Sequence, residues 1–324
     1  MSWNNGKVVG AGVSYEEYAQ QAEGVKRGDK TWRVSRSDLA DVLACPYKWR
    51  EGAADESSDA MLWGSLIDML LLTPERFGDR FAVCPETYMA EGKKKGDPQE
   101  EKPWNWNATV CKNWRDEQGG KETIKSELHE AAKEAVKRFK ENPLVFALLA
   151  GFQAQTCVEA CWADEATRLV IPVRGLIDIV PSKTSANSAD LADLKTTVDA
   201  SMHTWGRKVF SGGYHVQAAL YLDLYNAATG EDRTSFLHLV QEKESPYAIG
   251  TRRLDPAYIV MGRGYYEWAL RVYAKCLATG TWPGYDDNKW TLIEPEPWMS
   301  MYAPAEANAG GKAPEWAQAQ EVTP

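Results

Sequence analysis

The spacing of apolar and polar positions divides the chain into a helical first half and a strand-rich centre. SRSDLADVLACPYKW has helical spacing, with Ser35 or Ser37 as N-cap and Pro46 as its stop. SSDAMLWGSLIDMLLLTPERF predicts a denser apolar helix from about Asp59 to Leu72, ended by Thr73-Pro74, and FAVCP reads as a short strand. Residues 121–150 return to helix, with basic and acidic side chains on the exposed face.

The period then falls to two. QTCVEACWAD and RLVIPVRGLIDIVPS predict a β-hairpin turning at Asp164 to Thr167, and ADLADLKTT predicts a third strand after the turn from Ser182 to Ser188. HTWGRKVFSGGYHVQAALYLDLYNAATG reads as helix interrupted at Gly212-Gly213. TSFLHLVQEKE and YAIGTRRL are two more strands. Asp255 to Ala278 closes the series as a helix, with Asp255 as N-cap and Pro256 at its first position. Helices followed by β-β-β-α-β-β-α predict an α/β fold, with a mixed central sheet flanked by helices and an N-terminal helical layer over it.

Three stretches lack a clear period. Residues 1–30 read as a polar lead, poorly ordered or forming a short extra helix. Residues 86–120 combine Lys93-Lys94-Lys95 with Trp104, Trp106 and Trp114 and predict a long loop or lid. Those rings either stack on unpaired bases or pack against the body. Residues 286–324 form a tail, expected to be disordered from about Ala303. The main domain therefore spans 31–285.

Composition narrows the class. The 324 residues suffice for one large domain or two modest ones, and 44% hydrophobic with 26% charged residues is ordinary for a soluble protein. No run approaches the roughly 20 apolar residues of a membrane helix. MSWNNGKVVG lacks the basic and apolar regions of a signal peptide, so a cytoplasmic location is expected. Six scattered cysteines form no CxxC pair. Cys157 and Cys161 share a strand face but lie ~13 Å apart along it, so reduced thiols are expected rather than a shared metal or an iron–sulfur cluster. A net charge of −9 argues against non-specific coating of nucleic acid but not against a nuclease that confines its basic residues to one channel. No GxxxxGK[ST] loop is present, so ATP is not implied. His129, His203, His215 and His238 show no ligand spacing, and no Ser-His-Asp or Cys-His arrangement can be argued from their order.

The candidate chemistry lies on two of the predicted strands. Asp193 and Lys195, two apart, share a strand face, and Asp178 ends the preceding strand. Phosphodiester hydrolysis needs a hard cation on oxygen ligands, a nucleophilic water and charge relief on the phosphate. Asp178, Asp193 and the Leu194 carbonyl can hold the cation, and Lys195 can orient the water and neutralise developing charge. A D-(x)n-D-x-K pattern by itself is weak. GLIDIV and LADLK surround these acids with apolar residues, a setting in which charges are usually paired or metal-bound.

From about Ser35 to Tyr285 the chain resembles the RecE-type (exonuclease VIII-like) branch of the PD-(D/E)XK nucleases. The matching segments are SRSDL, GSLIDMLLLTPERF, VEACW, RGLID, DLKTTVDAS, GGYHVQAALY, EKESPYA and TGTWPGY. DLKTTVDAS followed by GYHVQAALY is the most specific part. The resemblance implies Asp178 and Asp193 as Mg²⁺ (or Mn²⁺) ligands, Lys195 as catalytic lysine, and Tyr214 and Gln217 on the next helix near the site and the DNA end. Glu159, in VEACW, matches an auxiliary acid and either touches the metal or lines the exposed strand face. The family's Gly-x-x-x-His helix is altered here: Gly64 is followed by Asp68, which either serves the metal directly or has left the site. The resemblance further implies 5′ to 3′ degradation of linear double-stranded DNA, single-stranded tails for recombination, a ring-shaped homo-oligomer, a single-strand annealing partner and a phage or prophage source. A weakened DNA-end-binding module and a structure-specific or CRISPR-associated RecB-like nuclease are the alternatives.

Overall fold

The computed structural model describes residues 3–52, 59–90, 98–286 and 289–294. The triple lysine at 93–95 and the tail beyond 294 lie outside these residues. One compact unit runs to Trp282 and a second begins at Pro283. In the second, Asp286 accepts a backbone hydrogen bond from Lys289 (2.8 Å) and a side-chain bond from Thr291 (2.8 Å).

Six strands make the central sheet of the first unit: β1 (Trp3–Gly10), β2 (Gln153–Ala163), β3 (Val170–Val180), β4 (Asp190–Thr197), β5 (Ser235–Glu242) and β6 (Ile249–Arg253). Their order in the sheet is the order in the chain. All neighbours are antiparallel except β4 and β5, which run parallel. A parallel pair needs a crossover, and two helices supply it. They are Met202–Ser211 and Tyr214–Thr229.

The helices follow the chain as α1 (Tyr15–Ala19), α2 (Arg36–Ala44), α3 (Asp59–Leu72), α4 (Ser126–Glu141), α5 (Met202–Ser211), α6 (Tyr214–Thr229) and α7 (Pro256–Thr279). Ser35 is the N-cap of α2, with a reciprocal bond from Asp38, so the expected start is the earlier of the two serines. Asp255 caps α7 and Pro256 takes its first turn. Two apolar clusters form the core. Helices α2, α5, α6 and α7 contribute Leu39, Trp205, Leu220 and Leu270 to one. Helices α3 and α4 contribute Leu66, Ile67, Ala135 and Phe139 to the other, together with Leu194 from β4. Among the described residues no helix is long and apolar enough to cross a membrane.

Three expectations are corrected. The polar lead holds the short extra helix that is one of its two readings, α1, started by a capping box at Ser14, but it also holds an unexpected strand, β1, which extends the sheet edge. Arg174 ties this segment down by donating to the carbonyls of Ala19 (3.1 Å) and Gln20 (2.9 Å). An edge strand is held mainly through its backbone, so its side chains need not alternate, and in β1 Trp3, Gly6 and Gly10 are half-buried while the residues between them are exposed. The described residues of the 86–120 stretch also have structure of their own. Thr87–Ala90 pairs with Glu100–Pro103, Thr109–Glu117 is helical, and Trp104 packs edge-on against Trp106 and Trp114. Finally, Glu122–Ile124, expected as helix, is a short strand parallel to Phe81–Val83.

Candidate active site

Strands β3 and β4 pair through Ile179 and Ala192. Beyond that point the Asp178 side chain takes up the next backbone donor: its Oδ2 accepts the Leu194 N–H at 2.9 Å. A carboxylate thus stands where a main-chain carbonyl would continue the ladder, which orients Asp178 at the strand junction. Asp193 is 1% exposed. Its Oδ1 accepts from Gln217 Nε2 at 2.7 Å, and its Oδ2 forms a close ion pair with Lys195 Nζ. Lys195 Nζ also lies 3.5 Å from the Leu194 carbonyl and 5.3 Å from the centre of the Tyr214 ring. Gln217 and Tyr214 both come from the first turns of α6, so the glycine break before that helix sets where they meet the sheet.

Asp68 reaches the same centre from α3. Burial is the main cause that raises its carboxyl to about 7; Asp193 adds to the rise, while Lys195 and Arg80 oppose it. Burial likewise lifts Asp178 well above the carboxylate range, with Asp193 and Asp68 adding repulsion. Burial would lower Lys195, but the neighbouring Asp193 and Asp178 outweigh it and hold the ammonium firmly charged. Asp68 also lines a cavity of about 600 Å³ with Ser65, Met69, Arg80 and Gln155.

Glu159 is placed elsewhere. It sits opposite Arg174 in the β2–β3 register, four residues along from Asp178, or roughly 13 Å. Its carboxylate is taken by Arg33 (2.6 Å) and Lys7 (3.2 Å). These ion pairs make Glu159 part of the β1–β2 edge, apart from Asp178 and Asp193 and not a free acid on an exposed strand face. Three histidines also lie outside the centre: His129 stacks on Phe77, His215 on Phe210, and His203 sits near Asp199. All six cysteines are unpaired.

Two residues at the centre escaped the sequence reading. His238 on β5 is the parallel register partner of Asp193 and is fully buried. Burial lowers its imidazole to about 4, so it is neutral. No spacing signal marks it, because strand pairing brings it there. Tyr221 follows Gln217 by four residues on α6, a signal that was available. Burial, then the Asp193 and Asp178 charges, raises its phenol.

Among the described residues no group of three or more His, Cys, Asp and Glu side chains is gathered tightly enough to hold a metal ion. The Lys195 ammonium takes the Asp193 oxygen a cation would use. The donor set nonetheless fits a hard divalent ion. Three carboxylates, Asp193 buried and Asp68 and Asp178 half-buried, face one ammonium, burial and then mutual repulsion raise Asp68 and Asp178, and the Leu194 carbonyl stands beside them.

A mixed sheet with helices on both faces, and a D…D-x-K set at its diverging strands, defines a PD-(D/E)XK-like protein. The chain belongs to the family described as PDDEXK-like domain of unknown function (DUF3799), which matches residues 35–289. A putative exonuclease from Eubacterium rectale, solved by crystallography, shares the fold: TM-score 0.50 at 16% identity, covering 91% of this chain and 99% of that one. Rai1 from Scheffersomyces stipitis overlaps at a TM-score of 0.24 and 10% identity, covering 76% of this chain and 67% of that one, too loosely for a shared fold to be drawn from it. No curated protein sequence matches the chain.

Proposed function

We propose that this chain is a metal-dependent DNA exonuclease that hydrolyses phosphodiester bonds from the ends of linear double-stranded DNA. The observation that carries the reading is the meeting of Asp178, Asp193, Lys195 and Asp68 at the β3–β4 junction of a PD-(D/E)XK-like fold. Mg²⁺, or Mn²⁺, would be held by Asp178, Asp193 and the Leu194 carbonyl with Asp68 beside them, and would supply Lewis-acid polarisation of the phosphate and a more acidic water. The chain's own residues do the rest. The Leu194 N–H and the Gln217 amide hold the two aspartates in place. Lys195 orients the attacking water and offsets charge that builds on the phosphate.

Resemblance to RecE-type enzymes in DLKTTVDAS and GGYHVQAALY extends the proposal to 5′ to 3′ polarity, single-stranded tails for recombination, a homo-oligomer and a single-strand annealing partner. The test is digestion of end-labelled linear duplex with Mg²⁺, comparing wild type, Asp193→Ala and a covalently closed circle. Loss of label from the linear duplex alone, absent in the variant, supports the reading, and the labelled end reports polarity. Cleavage of the circle turns the assignment to an endonuclease. A second reading, a DNA-end-binding module without turnover, is favoured by the closure of Lys195 onto Asp193. No digestion with either ion, alongside retained binding of duplex ends, would establish it.

A further inference from the structure

Lys195 is a flexible side chain on which the proposed chemistry depends, and a four-carbon stem does not orient itself. Its ammonium has neighbours of different kinds: the Asp193 carboxylate and the Leu194 carbonyl, both in the proposed metal set, and the face of Tyr214, whose ring centre is 5.3 Å away. That ring is itself fixed. Trp205 stacks on it at 5.3 Å with 19° between the planes. His238 meets both rings edge-on, at 5.9 Å from Tyr214 and 5.6 Å from Trp205. Trp205 is 2% exposed and His238 fully buried, so the platform belongs to the core. His238 stands on β5 opposite Asp193, and Trp205 and Tyr214 stand on the two crossover helices. The crossover between the parallel strands therefore builds a wall against the lysine.

We propose that Tyr214 is a positioning residue for Lys195: its ring face, braced by Trp205 and His238, holds the ammonium beside Asp193, and it does not serve as a DNA contact. The physical reason is that a ring attracts a cation through its negative face. Asp193 also belongs to the proposed metal set, so the ring is the partner Lys195 keeps when that carboxylate turns to a cation. The inference deepens the nuclease reading and rests on it for its catalytic consequence alone.

Two measurements test it. The first needs no activity. Lysines are reductively methylated with ¹³C-formaldehyde, which keeps their charge, and the Lys195 resonance is assigned by its loss in Lys195→Arg. A methyl group over an aromatic face is shifted upfield. The shift should persist in Tyr214→Phe and collapse to the position of exposed lysines in Tyr214→Leu; the same shift in both variants overturns the proposal. The second is kinetic, with binding of a labelled duplex measured by fluorescence anisotropy in Ca²⁺. Tyr214→Phe should stay within about twofold of wild type, while Tyr214→Leu should lose about tenfold or more in kcat with binding unchanged. Weaker binding with unchanged kcat would make Tyr214 a DNA contact, and an equal loss in Tyr214→Phe would make the hydroxyl the working group. Either result overturns the assignment. A wild type that does not cleave sinks the nuclease reading, while the resonance still decides whether the ring holds the lysine. Thermal melts identify a variant that has simply unfolded, and Tyr214→Met then replaces Tyr214→Leu.

Discussion

Lys195 pairs directly with Asp193, and three acids press on it. Replacing it tests the site most directly. Lys195→Ala should lower turnover by about 100-fold or more, with the fold and duplex binding nearly intact; wild-type turnover would remove Lys195 from the chemistry. Asp68 stands at the position where the resemblance to RecE-type enzymes implies a histidine. If it serves the centre, Asp68→Ala loses activity, and Asp68→His reports whether the pocket still accepts imidazole. Wild-type rates in Asp68→Ala would make it a bystander. His238 yields a stability prediction of definite sign. Its imidazole titrates near 6.5 in the unfolded chain and at about 4 in the fold, chiefly because burial disfavours the charged form. The unfolded state therefore binds the extra proton between those values, and stability falls as pH drops from 6.5 towards 4, by at most about 3 kcal/mol. Urea unfolding at pH 7 and pH 5 should show the loss, and His238→Phe should flatten it. An equal slope in the variant would assign the acid sensitivity to other groups.

At the scale of elements, the site depends on strands that stop pairing and on a helix that crosses behind them. Gly175, in RGLID, lets α6 lie close on β3: a Cβ there would come within 3.1 Å of the Tyr221 ring. At β1 the approach is closer still: a Cβ on Gly6 would fall 2.2 Å from the carbonyl oxygen of Ala227 on α6. Backbone cannot move aside as a side chain can. Gly6→Ala should therefore lower stability by about 2 kcal/mol or more, and hydrogen exchange should rise first in β1 because an edge strand can detach while the rest stays folded. Uniform loss of protection across the sheet would show that β1 and the core unfold together.

For the whole molecule, the concentration of like charge in one buried centre has a consequence for stability. A divalent ion that binds only the folded state stabilises it by mass action, by about 2.7 kcal/mol at a hundredfold excess over its Kd. Wild type should melt several degrees higher in Mg²⁺ than in EDTA, and Asp193→Ala should lose that difference. Equal melting in both conditions would mean that the centre does not take the ion.

The periods of the sequence, 3.6 and then two, set which segments form helices and strands, because each element must bury one face. They sufficed for the order of elements from Gln153 to Thr279, for the cap at Asp255, for Ser35 as one of two candidate caps, and for the pairing of Asp193 with Lys195 on one strand face. They did not reveal β1, whose sheet edge is held by backbone bonds that leave little trace in side-chain pattern. Nor did they separate Glu159 from Asp68. Both are acids beside apolar residues, yet Arg33 and Lys7 claim the first, while the packing of α3 on β4 brings the second within reach of Lys195. His238 meets Asp193 through a parallel register and Tyr214 through the crossover, contacts between residues 45 and 24 positions apart. Local pattern carries no information about such distances, so tertiary structure alone decided which side chains share the centre.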